Sequence, residues 1–260
     1  MNHNKCKLCR KRRQLVRSHL MPAALYAMSR EAGSRVSNPI MVTRETSVPT
    51  SRQIWAHLLC RECGERFNVG GEHYVLTLVY DGTHFPLLER LNVAVPLEET
   101  NTLALYSGPA VGIDVKKLAY FALSVFWRAS VHRWRAPHGG AVRNSLGQYE
   151  EPIRRYLHGV AGFPADVVVT VVACTDDASQ GRSYTPCMVR GHEVPGFGML
   201  TRGIHFRLFV GADLPQPIRN VCCFSSPRQV IFKGSCRRIS THAFAFLHET
   251  SRPSRALRNP

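Results

Sequence analysis

The sequence predicts a mixed α+β fold with three parts: a cysteine-rich N-terminal module, a helical middle and a β-rich C-terminal part. Two Cys-x-x-Cys pairs before residue 64 define the first part. Apolar residues recur at helical spacing after residue 114, and β-branched residues predominate after residue 166. We therefore expect residues 1–80 to form one module and residues 81–260 to form an α+β domain of unknown role.

Short strands and helices are predicted to alternate in the N-terminal module. Residues 14–16 have strand character and lead to His19. Pro22 stands where the first turn of a helix tolerates proline, so we expect a helix over residues 23–31. A second helix is expected to begin at Cys60.

Glycines are predicted to end this second helix. Gly70 and Gly71 stand next to each other, and glycine is unfavourable within a helix. Residues 74–80 are then rich in β-branched and aromatic residues, which is typical of a strand.

The clearest helix of the chain is predicted to begin after Asp114, a residue type that often caps helices. Its apolar residues recur at helical spacing: Leu118, Phe121, Ala122, Val125 and Ala129. A shorter helix over 150–158 should end at Gly159. Strand character recurs further on, over residues 167–172, 204–210, 231–232 and 243–247.

The two cysteine pairs are the strongest functional signal. A two-residue gap lets both sulfurs of a pair turn toward one point. Two such pairs supply the four soft ligands of a closed tetrahedral zinc site: Cys6, Cys9, Cys60 and Cys63. Four thiolates on Zn²⁺ leave a net negative charge, which the neighbouring Lys5, Lys7, Arg10 and Arg61 would offset. The pattern predicts structural Zn²⁺, with a redox role or unrelated buried cysteines as the alternatives.

The chain is strongly basic, with 34 Lys and Arg against 18 Asp and Glu and a formal net charge of +16 at pH 7. Such an excess attracts polyanions, most simply nucleic acid. Residues 1–17 concentrate the charge and contain no acid. The residues expected to bind nucleic acid, DNA before RNA, are Arg10, Lys11, Arg12, Arg13 and Arg17.

The remaining cysteines lack ligand spacing and are expected to be reduced and partly buried: Cys174, Cys187, Cys222, Cys223 and Cys236. No segment has the pattern of a signal peptide. The longest apolar helical run, 118–131, is too short to span a bilayer and is interrupted by Arg128. Arg128 would anchor a carboxylate, reach a phosphate or extend its charged end to solvent. A cytoplasmic protein without membrane contact is predicted.

The order of motifs resembles the zinc-containing HNH endonucleases, whose core is a ββα-metal fold. A knuckle, a hairpin and a helix that supplies the last two ligands form a treble clef. The family places a His at the end of its first strand, often within Asp-His-x-x-Pro, and the matching residues here are Ser18-His19-Leu20-Met21-Pro22. Its later helix matches Leu59-Cys60-Arg61-Glu62-Cys63. Longer stretches, including CKLCRKRRQLVRSHLMPAALY and HLLCRECGERF, are similar to a bacterial group of HNH-like proteins.

The resemblance implies a metal-dependent endonuclease that hydrolyses the phosphodiesters of nucleic acid, in the first place DNA. His19 would act as the general base that takes a proton from water. A divalent cation, Mg²⁺ or Mn²⁺, would stabilise the developing charge on the phosphate. The structural alternative for His19 is a buried imidazole bonded to backbone near the hairpin.

Three positions depart from the family pattern. Ser18 replaces an Asp that often binds the catalytic metal, Gly64 stands where a His or Asn often follows the last cysteine, and the central Asn expected before Cys60 is missing. Substitute ligands for the catalytic metal are available after Cys63: Glu65, Asn68, Glu72 and His73. Ordinary helix-surface and turn positions are the alternative for each of them.

These departures favour a second hypothesis, in which a non-catalytic, zinc-stapled module binds nucleic acid without cutting it. A third hypothesis is a protein-interaction scaffold whose β-rich C-terminal half binds a partner. A second cation beside His19 would favour the enzyme. Strongly salt-dependent binding without cleavage would favour the second hypothesis.

Overall fold

The computed structural model describes residues 3–31, 40–42, 46–49, 52–135, 141–142, 144–189, 196–237 and 252–253. Mixed α+β structure, as predicted, is found in these residues. The strands are β1 His3–Lys5, β2 Arg12–His19, β3 Ile40–Val42, β4 Thr46–Pro49, β5 Trp55–Cys60, β6 Glu98–Glu99, β7 Leu103–Ser107, β8 Trp134–Arg135, β9 Ala141–Val142, β10 Val167–Cys174, β11 Ser183–Val189, β12 Gly196–Thr201, β13 Ile204–Val210, β14 Val230–Gly234 and β15 Arg252–Pro253.

Helices connect and cover these strands. They are α1 Ala23–Glu31, α2 Arg61–Phe67, α3 His73–Leu76, α4 Pro86–Asn92, α5 Val115–Val131, α6 Glu150–His158, α7 Asp177–Gln180 and α8 Gln216–Asn220. A π-helical turn over Asn68–Glu72 joins α2 to α3, and 3₁₀ turns lie at Pro109–Val111 and Gly147–Tyr149. No helix in the described part of the chain is long and apolar enough to cross a membrane.

A three-stranded antiparallel sheet of order β1-β2-β5 forms the N-terminal part. Leu15 of β2 lies opposite Cys60 of β5, and His19 lies opposite Trp55. The register shifts between Val16 and Arg17, which is a β-bulge. Bulges re-aim the residues beyond them, so this one decides which side chains of β2 and β5 share a face.

The large sheet has seven strands in the order β11-β12-β13-β10-β14-β7-β6. Strand β10 pairs antiparallel with β13 and parallel with β14. Alternate residues of the central strands point to one side and join the main core, among them Val169, Val171, Phe206 and Leu208. Helix α5 covers that side, and the rings of Phe121 and Phe206 lie 5.4 Å apart.

Helix α5 begins as the sequence predicts. The carboxylate of Asp114 accepts a hydrogen bond from the Lys117 N–H at 3.1 Å. Every residue from Leu118 to Ser130 apart from Tyr120 is buried, because the helix is nearly apolar all round and runs through the middle of the protein. One continuous core contains side chains of the small sheet, of α5 and of the large sheet. The boundary at residue 80 stays a prediction.

The prediction that Gly70 and Gly71 end the second helix is wrong. The chain continues through them as the π-helical turn and α3, and the strand predicted over 74–80 is helix and turn. The reason is the close packing of this segment against α5. An added Cβ on Gly71 would lie 2.6 Å from the Lys117 carbonyl oxygen of α5. Glycine therefore serves here to let two helical segments approach closely, which outweighs its poor helix propensity.

Helices over 23–31 and 150–158, and strands within 167–174, 204–210 and 230–234, are confirmed. Residues 243–247 lie outside the described residues. The prediction of reduced cysteines is wrong for two of the five, because Cys174 and Cys236 form a disulfide with Cα atoms 5.3 Å apart. The bond joins the end of β10 to the segment after β14, which the parallel pairing of these strands brings side by side.

Replacement of Gly71 by Ala is expected to lower the free energy of unfolding by about 1–3 kcal/mol, because the new methyl group overlaps the backbone of α5. Urea denaturation measures the change. Gly162→Ala is the matched control, since an added Cβ there meets no atom within 4 Å. Equal stability of the two variants would contradict this account of the helix contact.

Candidate functional site

Four cysteines converge at one edge of the three-stranded β1-β2-β5 sheet, where β1 and β5 end and β2 begins. Cys6 and Cys9 lie in the turn between β1 and β2, Cys60 ends β5, and Cys63 lies in the first turn of α2. Their four sulfur atoms all lie within 4.8 Å of one another, and the Cys9 and Cys60 sulfurs are 4.0 Å apart. Tetrahedral Zn–S bonds of about 2.3 Å require sulfurs about 3.8 Å apart, so the group could hold a metal such as zinc.

Backbone hydrogen bonds shape this group. The Cys60 N–H donates to the Cys6 sulfur at 3.3 Å, and the Cys6 N–H donates to the Lys11 carbonyl at 3.0 Å. The turn closes where the Arg10 N–H donates to the Cys6 carbonyl at 2.9 Å. Arg10 has a φ of 60°, a left-handed conformation that is uncommon for residues other than glycine. The tight turn requires it at this position. The sulfurs are therefore held by backbone geometry as well as by side-chain packing.

The pKa values of three thiols in this group are shifted, and not all in the same direction. A hydrogen bond from Cys63 is the main cause that lowers the pKa of Cys6 to about 4. The same bond to Cys6 raises the pKa of Cys63, and burial raises the pKa of Cys60. A first thiolate thus forms readily at Cys6, and thiolates are the form in which cysteine binds metals. Further deprotonation would need a cation to neutralise the added charge.

The basic residues predicted to bind nucleic acid divide into two kinds. Arg10 pairs with Glu151 of α6, and Arg13 pairs with Glu62 of α2. Lys11, Arg12 and Arg17 are exposed, and within the described residues none of the three forms an ion pair. Arg10 therefore links the turn that carries Cys6 and Cys9 to α6, and Arg13 links the start of β2 to α2. The other three keep their charge available at the surface.

A mixed aromatic and basic surface lies on one face of the β2–β5 hairpin. His19 faces Trp55 across the strands and Arg17 faces His57, so these four side chains share a face. The Arg17 guanidinium lies 4.3 Å from the centre of the Trp55 ring, and the rings of Trp55 and His57 meet edge-on at 5.5 Å. Trp55 is 43 % exposed. We call these four residues the hairpin face.

A cavity of about 410 Å³ adjoins the hairpin face. Arg52, Gln53, Trp55 and Arg135 line it. The sequence over residues 55–59 is apolar, and neither the strand there nor the exposure of Trp55 was predicted. The signal that could have revealed it is the alternation of Trp55 with His57 on β5, since period 2 places both on one side.

His19 lies at the end of β2 and is half-buried. Burial lowers the pKa of its imidazole, and the charges of Arg17 and Arg128 lower it further. Its carbonyl accepts a hydrogen bond of 2.9 Å from Arg128 of α5. Its Nε2 atom is buried and has no hydrogen-bond partner among the described residues. A side-chain hydrogen bond with Gln53 raises this pKa in part, and the net shift favours the neutral ring.

Arg128 anchors a carboxylate, one of the roles that the sequence allows. Its guanidinium lies 2.6 Å from the Glu72 carboxylate, with side chains only 4 % and 16 % exposed. Its Nε also donates to the Ser124 carbonyl at 3.3 Å. A buried arginine needs such a partner, because an unpaired buried charge is costly.

Of the substitute ligands predicted for a catalytic metal, Glu65, Glu72 and His73 do not form with His19 a group placed to hold an ion within the described residues. Glu65 and Asn68 are exposed and bond to each other at 3.4 Å, while His73 is exposed on α3. Glu72 is held by Arg128. Within the described residues, the four cysteines are the one group of three or more His, Cys, Asp or Glu side chains placed to hold an ion.

The Ser18 hydroxyl, at the position where the HNH family often has a metal-binding Asp, is instead engaged in two hydrogen bonds with the backbone. It accepts a hydrogen bond from the Leu59 N–H and donates one to the Val16 carbonyl, both at 3.2 Å. These bonds bridge β2 and β5 where the bulge interrupts regular pairing. Ser18 therefore stabilises the hairpin backbone from its buried side.

Comparison with protein-family models, with curated proteins and with solved structures found no match.

Replacement of Cys60 by Ser is expected to abolish zinc binding, since three thiols close a tetrahedral zinc site less well than four. Elemental analysis of the purified chain should show zinc at one atom per chain in the parent and none in the variant. Because zinc binding and folding are coupled, hydrogen exchange should also accelerate in β1, β2 and α2. Cys187→Ser lies outside the cluster and should keep its zinc. A parent chain that takes up no zinc would contradict the assignment.

Proposed function

We propose that this protein binds nucleic acid through the hairpin face of a zinc-stapled, treble-clef-like module. The supporting observation is the hairpin face itself: Arg17, Trp55 and His57 lie together at the surface beside a cavity with two further arginines. Aromatic rings stack on bases and guanidinium groups pair with phosphates, so the chemistry of this surface is complementary to a nucleic-acid strand.

Two further properties support this proposal. The net charge of +16 gives a long-range attraction to a polyanion. Lys11 and Arg12 are exposed on the same module and would extend the positive potential beyond the hairpin face. An exposed tryptophan contributes most when bases are unstacked, so single-stranded or opened DNA fits this surface better than a closed duplex.

Zinc would act in this module as a staple. The metal would join the turn that carries Cys6 and Cys9 to β5 and α2, through Cys60 and Cys63. With all four ligand positions filled by sulfur, such a zinc ion has no open position for substrate. Its contribution is to fix the register of β2 against β5, and thereby the hairpin face.

Substitution of Trp55 by Ala is expected to weaken binding of a single-stranded oligonucleotide by about 5- to 150-fold, the loss of stacking on one base. Fluorescence anisotropy measures the dissociation constant. Val69→Ala is the control, since Val69 is also exposed in this module but lies on the π-helical turn.

The charge on the hairpin face is tested separately. Arg17→Glu should weaken binding to all sequences alike and make the dependence of log affinity on log salt shallower, by about 0.7–0.9 for each phosphate that the arginine neutralises. Arg228→Glu, on a surface arginine paired with Glu98, is the matched control. Unchanged affinity in both Trp55→Ala and Arg17→Glu would refute the hairpin face as the binding surface. Retained zinc in these variants shows that the module is intact.

A second candidate function is hydrolysis of the bound strand by an HNH-like endonuclease. The observation that favours it is His19, an imidazole on the hairpin face whose pKa is lowered by burial and by the charges of Arg17 and Arg128. Its role would be to accept the proton of a water molecule that attacks the phosphorus. The adjacent Arg17 would hold the phosphate group near the ring.

Among the described residues, no group of carboxylate and histidine ligands beside His19 is placed to hold the cation expected for this reaction, Mg²⁺ or Mn²⁺. Glu72 is the nearby carboxylate, and it is paired with Arg128. Octahedral Mg²⁺ sites use one or two carboxylates together with water and phosphate oxygens. Because this carboxylate is engaged, we derive no step through a cation. Non-catalytic binding is therefore the function that the geometry supports best.

A plasmid-nicking assay with Mg²⁺ or Mn²⁺ decides between the two candidates. If the protein cleaves DNA, His19→Ala should reduce the rate by about 10²–10⁴, while zinc content and DNA affinity stay unchanged. His84→Ala, an exposed histidine beside Glu89, is the control. Since burial lowers the pKa of His19, the rate should rise with pH through a midpoint below 6.5 and be constant at neutral pH. Tight binding without nicking by the parent leaves binding alone as the function.

A further inference from the structure

The cavity beside the hairpin face carries positive charge on two sides. Arg52 and Gln53 precede β5, Trp55 begins it, and Arg135 ends β8, which follows α5. The cavity therefore lies between two segments that are distant in the chain. In the part of the chain that the structure describes, none of its lining residues is acidic. Two guanidinium groups without a lining carboxylate create a positive potential in a concave site, and this attracts an anion.

The lining side chains are hydrogen-bond donors that suit a phosphate group. A guanidinium presents planar N–H groups that pair with two phosphate oxygens at once. Gln53 adds an amide, whose hydrogen bond with His19 raises the pKa of that ring. A bond with this effect is donated by the ring, so the amide oxygen of Gln53 accepts it. The NH₂ group is then the part of the amide that can donate to an anion.

The size of the cavity indicates more than a single small ion. Its volume of about 410 Å³ lies within the range of about 300–1,000 Å³ that is typical of sites for small organic ligands. Trp55 belongs both to this cavity and to the hairpin face. Although Arg17 lies over its ring, 43 % of Trp55 is exposed and can contact a base. A nucleotide on Trp55 would therefore place its phosphate beside the cavity arginines.

The end of a strand fits this arrangement better than an internal phosphodiester does. An internal phosphodiester has one negative charge, and the strand continues on both sides of it. A phosphate monoester carries about −1.5 to −2 charges at pH 7 and three strong acceptor oxygens. Two guanidinium groups and an amide match this larger charge and this number of acceptors. A continuing strand instead follows an open groove along the surface.

We infer that the cavity lined by Arg52, Gln53, Trp55 and Arg135 binds the terminal phosphate monoester of a nucleic-acid strand whose adjoining bases lie on the hairpin face. Such binding rests on the proposed function and narrows its ligand to strands that end in a phosphate. Both 5′ and 3′ ends can carry this group, so the test separates the two.

Four single-stranded oligonucleotides of one sequence, each with an internal fluorophore, are titrated with the full-length chain. One has a 5′-phosphate, one has a 3′-phosphate, and one has hydroxyl groups at both ends. The fourth is one nucleotide longer with hydroxyl ends, so it adds backbone charge without a monoester. Fluorescence anisotropy should show a dissociation constant about tenfold lower for the strand whose phosphorylated end the cavity binds, the effect of a charge-assisted contact. The strand with this preference identifies the end.

Two variants assign the preference to the cavity. Arg135→Met should bind phosphorylated and hydroxyl-ended strands with equal affinity, because it removes one guanidinium from the lining. Arg228→Met removes the same charge from a surface arginine that pairs with Glu98 of β6, and it should keep the preference of the parent. The ratio of the two affinities is compared within each variant, since a general loss of positive charge weakens the binding of every strand.

The outcomes separate this inference from the proposed function. Suppose that the parent binds both phosphorylated strands no more tightly than the longer hydroxyl-ended strand, or that Arg135→Met and Arg228→Met keep the same preference. The cavity would then not be a site for strand ends, while weaker binding of all strands by Trp55→Ala would still support the hairpin face. A parent that binds none of the four strands would overturn both.

Discussion

The convergence of four cysteine sulfurs is the constraint on which the N-terminal half depends. Cys9 and Cys60 are 51 positions apart in the chain, yet their sulfurs lie 4.0 Å apart. Closing so long a segment onto one point fixes the turn before β2 against the end of β5. The pairing of Leu15 with Cys60 follows, and the bulge beyond it turns Arg17 and His19 to the side of Trp55. The hairpin face is thus a consequence of how the sulfurs meet.

A buried ion pair then fastens this module to the rest of the protein. Arg128, in the last turn of α5, pairs with Glu72 and donates to the carbonyl of His19. Loss of either charged partner would leave the other buried and unpaired, at a cost of about 3–5 kcal/mol. The same interaction explains two functional features. It positions the backbone of His19, and it withdraws Glu72 from the set of carboxylates that could hold a cation.

The two faces of the large sheet differ in chemistry because strand side chains alternate. The face toward α5 is mainly apolar, with Thr201 as a buried polar residue on it, whereas the other face carries two small apolar clusters together with His205 and Arg207. Buried polar groups in the centre of a sheet weaken it unless something satisfies them.

The sequence by itself determined the elements whose signals are local. The cap of α5 at Asp114, the helix over 150–158 with Gly159 after it, and the alternating strand over 204–210 depend on neighbouring residues, and all are present. The grouping of the four cysteines that could hold a metal was also evident, because the two-residue spacing within each pair lets both sulfurs turn toward one point. The role of Gly71 was not evident, since helix propensity describes an isolated segment and not one packed against α5.

Only the tertiary structure decided which residues meet across the chain. It separated the arginines that fasten helices, Arg10 and Arg13, from those that face outward, and it placed Trp55 at the surface beside Arg17. It joined Cys174 to Cys236 by laying β10 alongside β14. It also placed His205 and Arg207 of β13 on the face of the large sheet away from α5. The physical reason is common to all of these. A side chain's burial and partners are set by strand register and by packing between segments distant in sequence, which spacing within one segment does not encode.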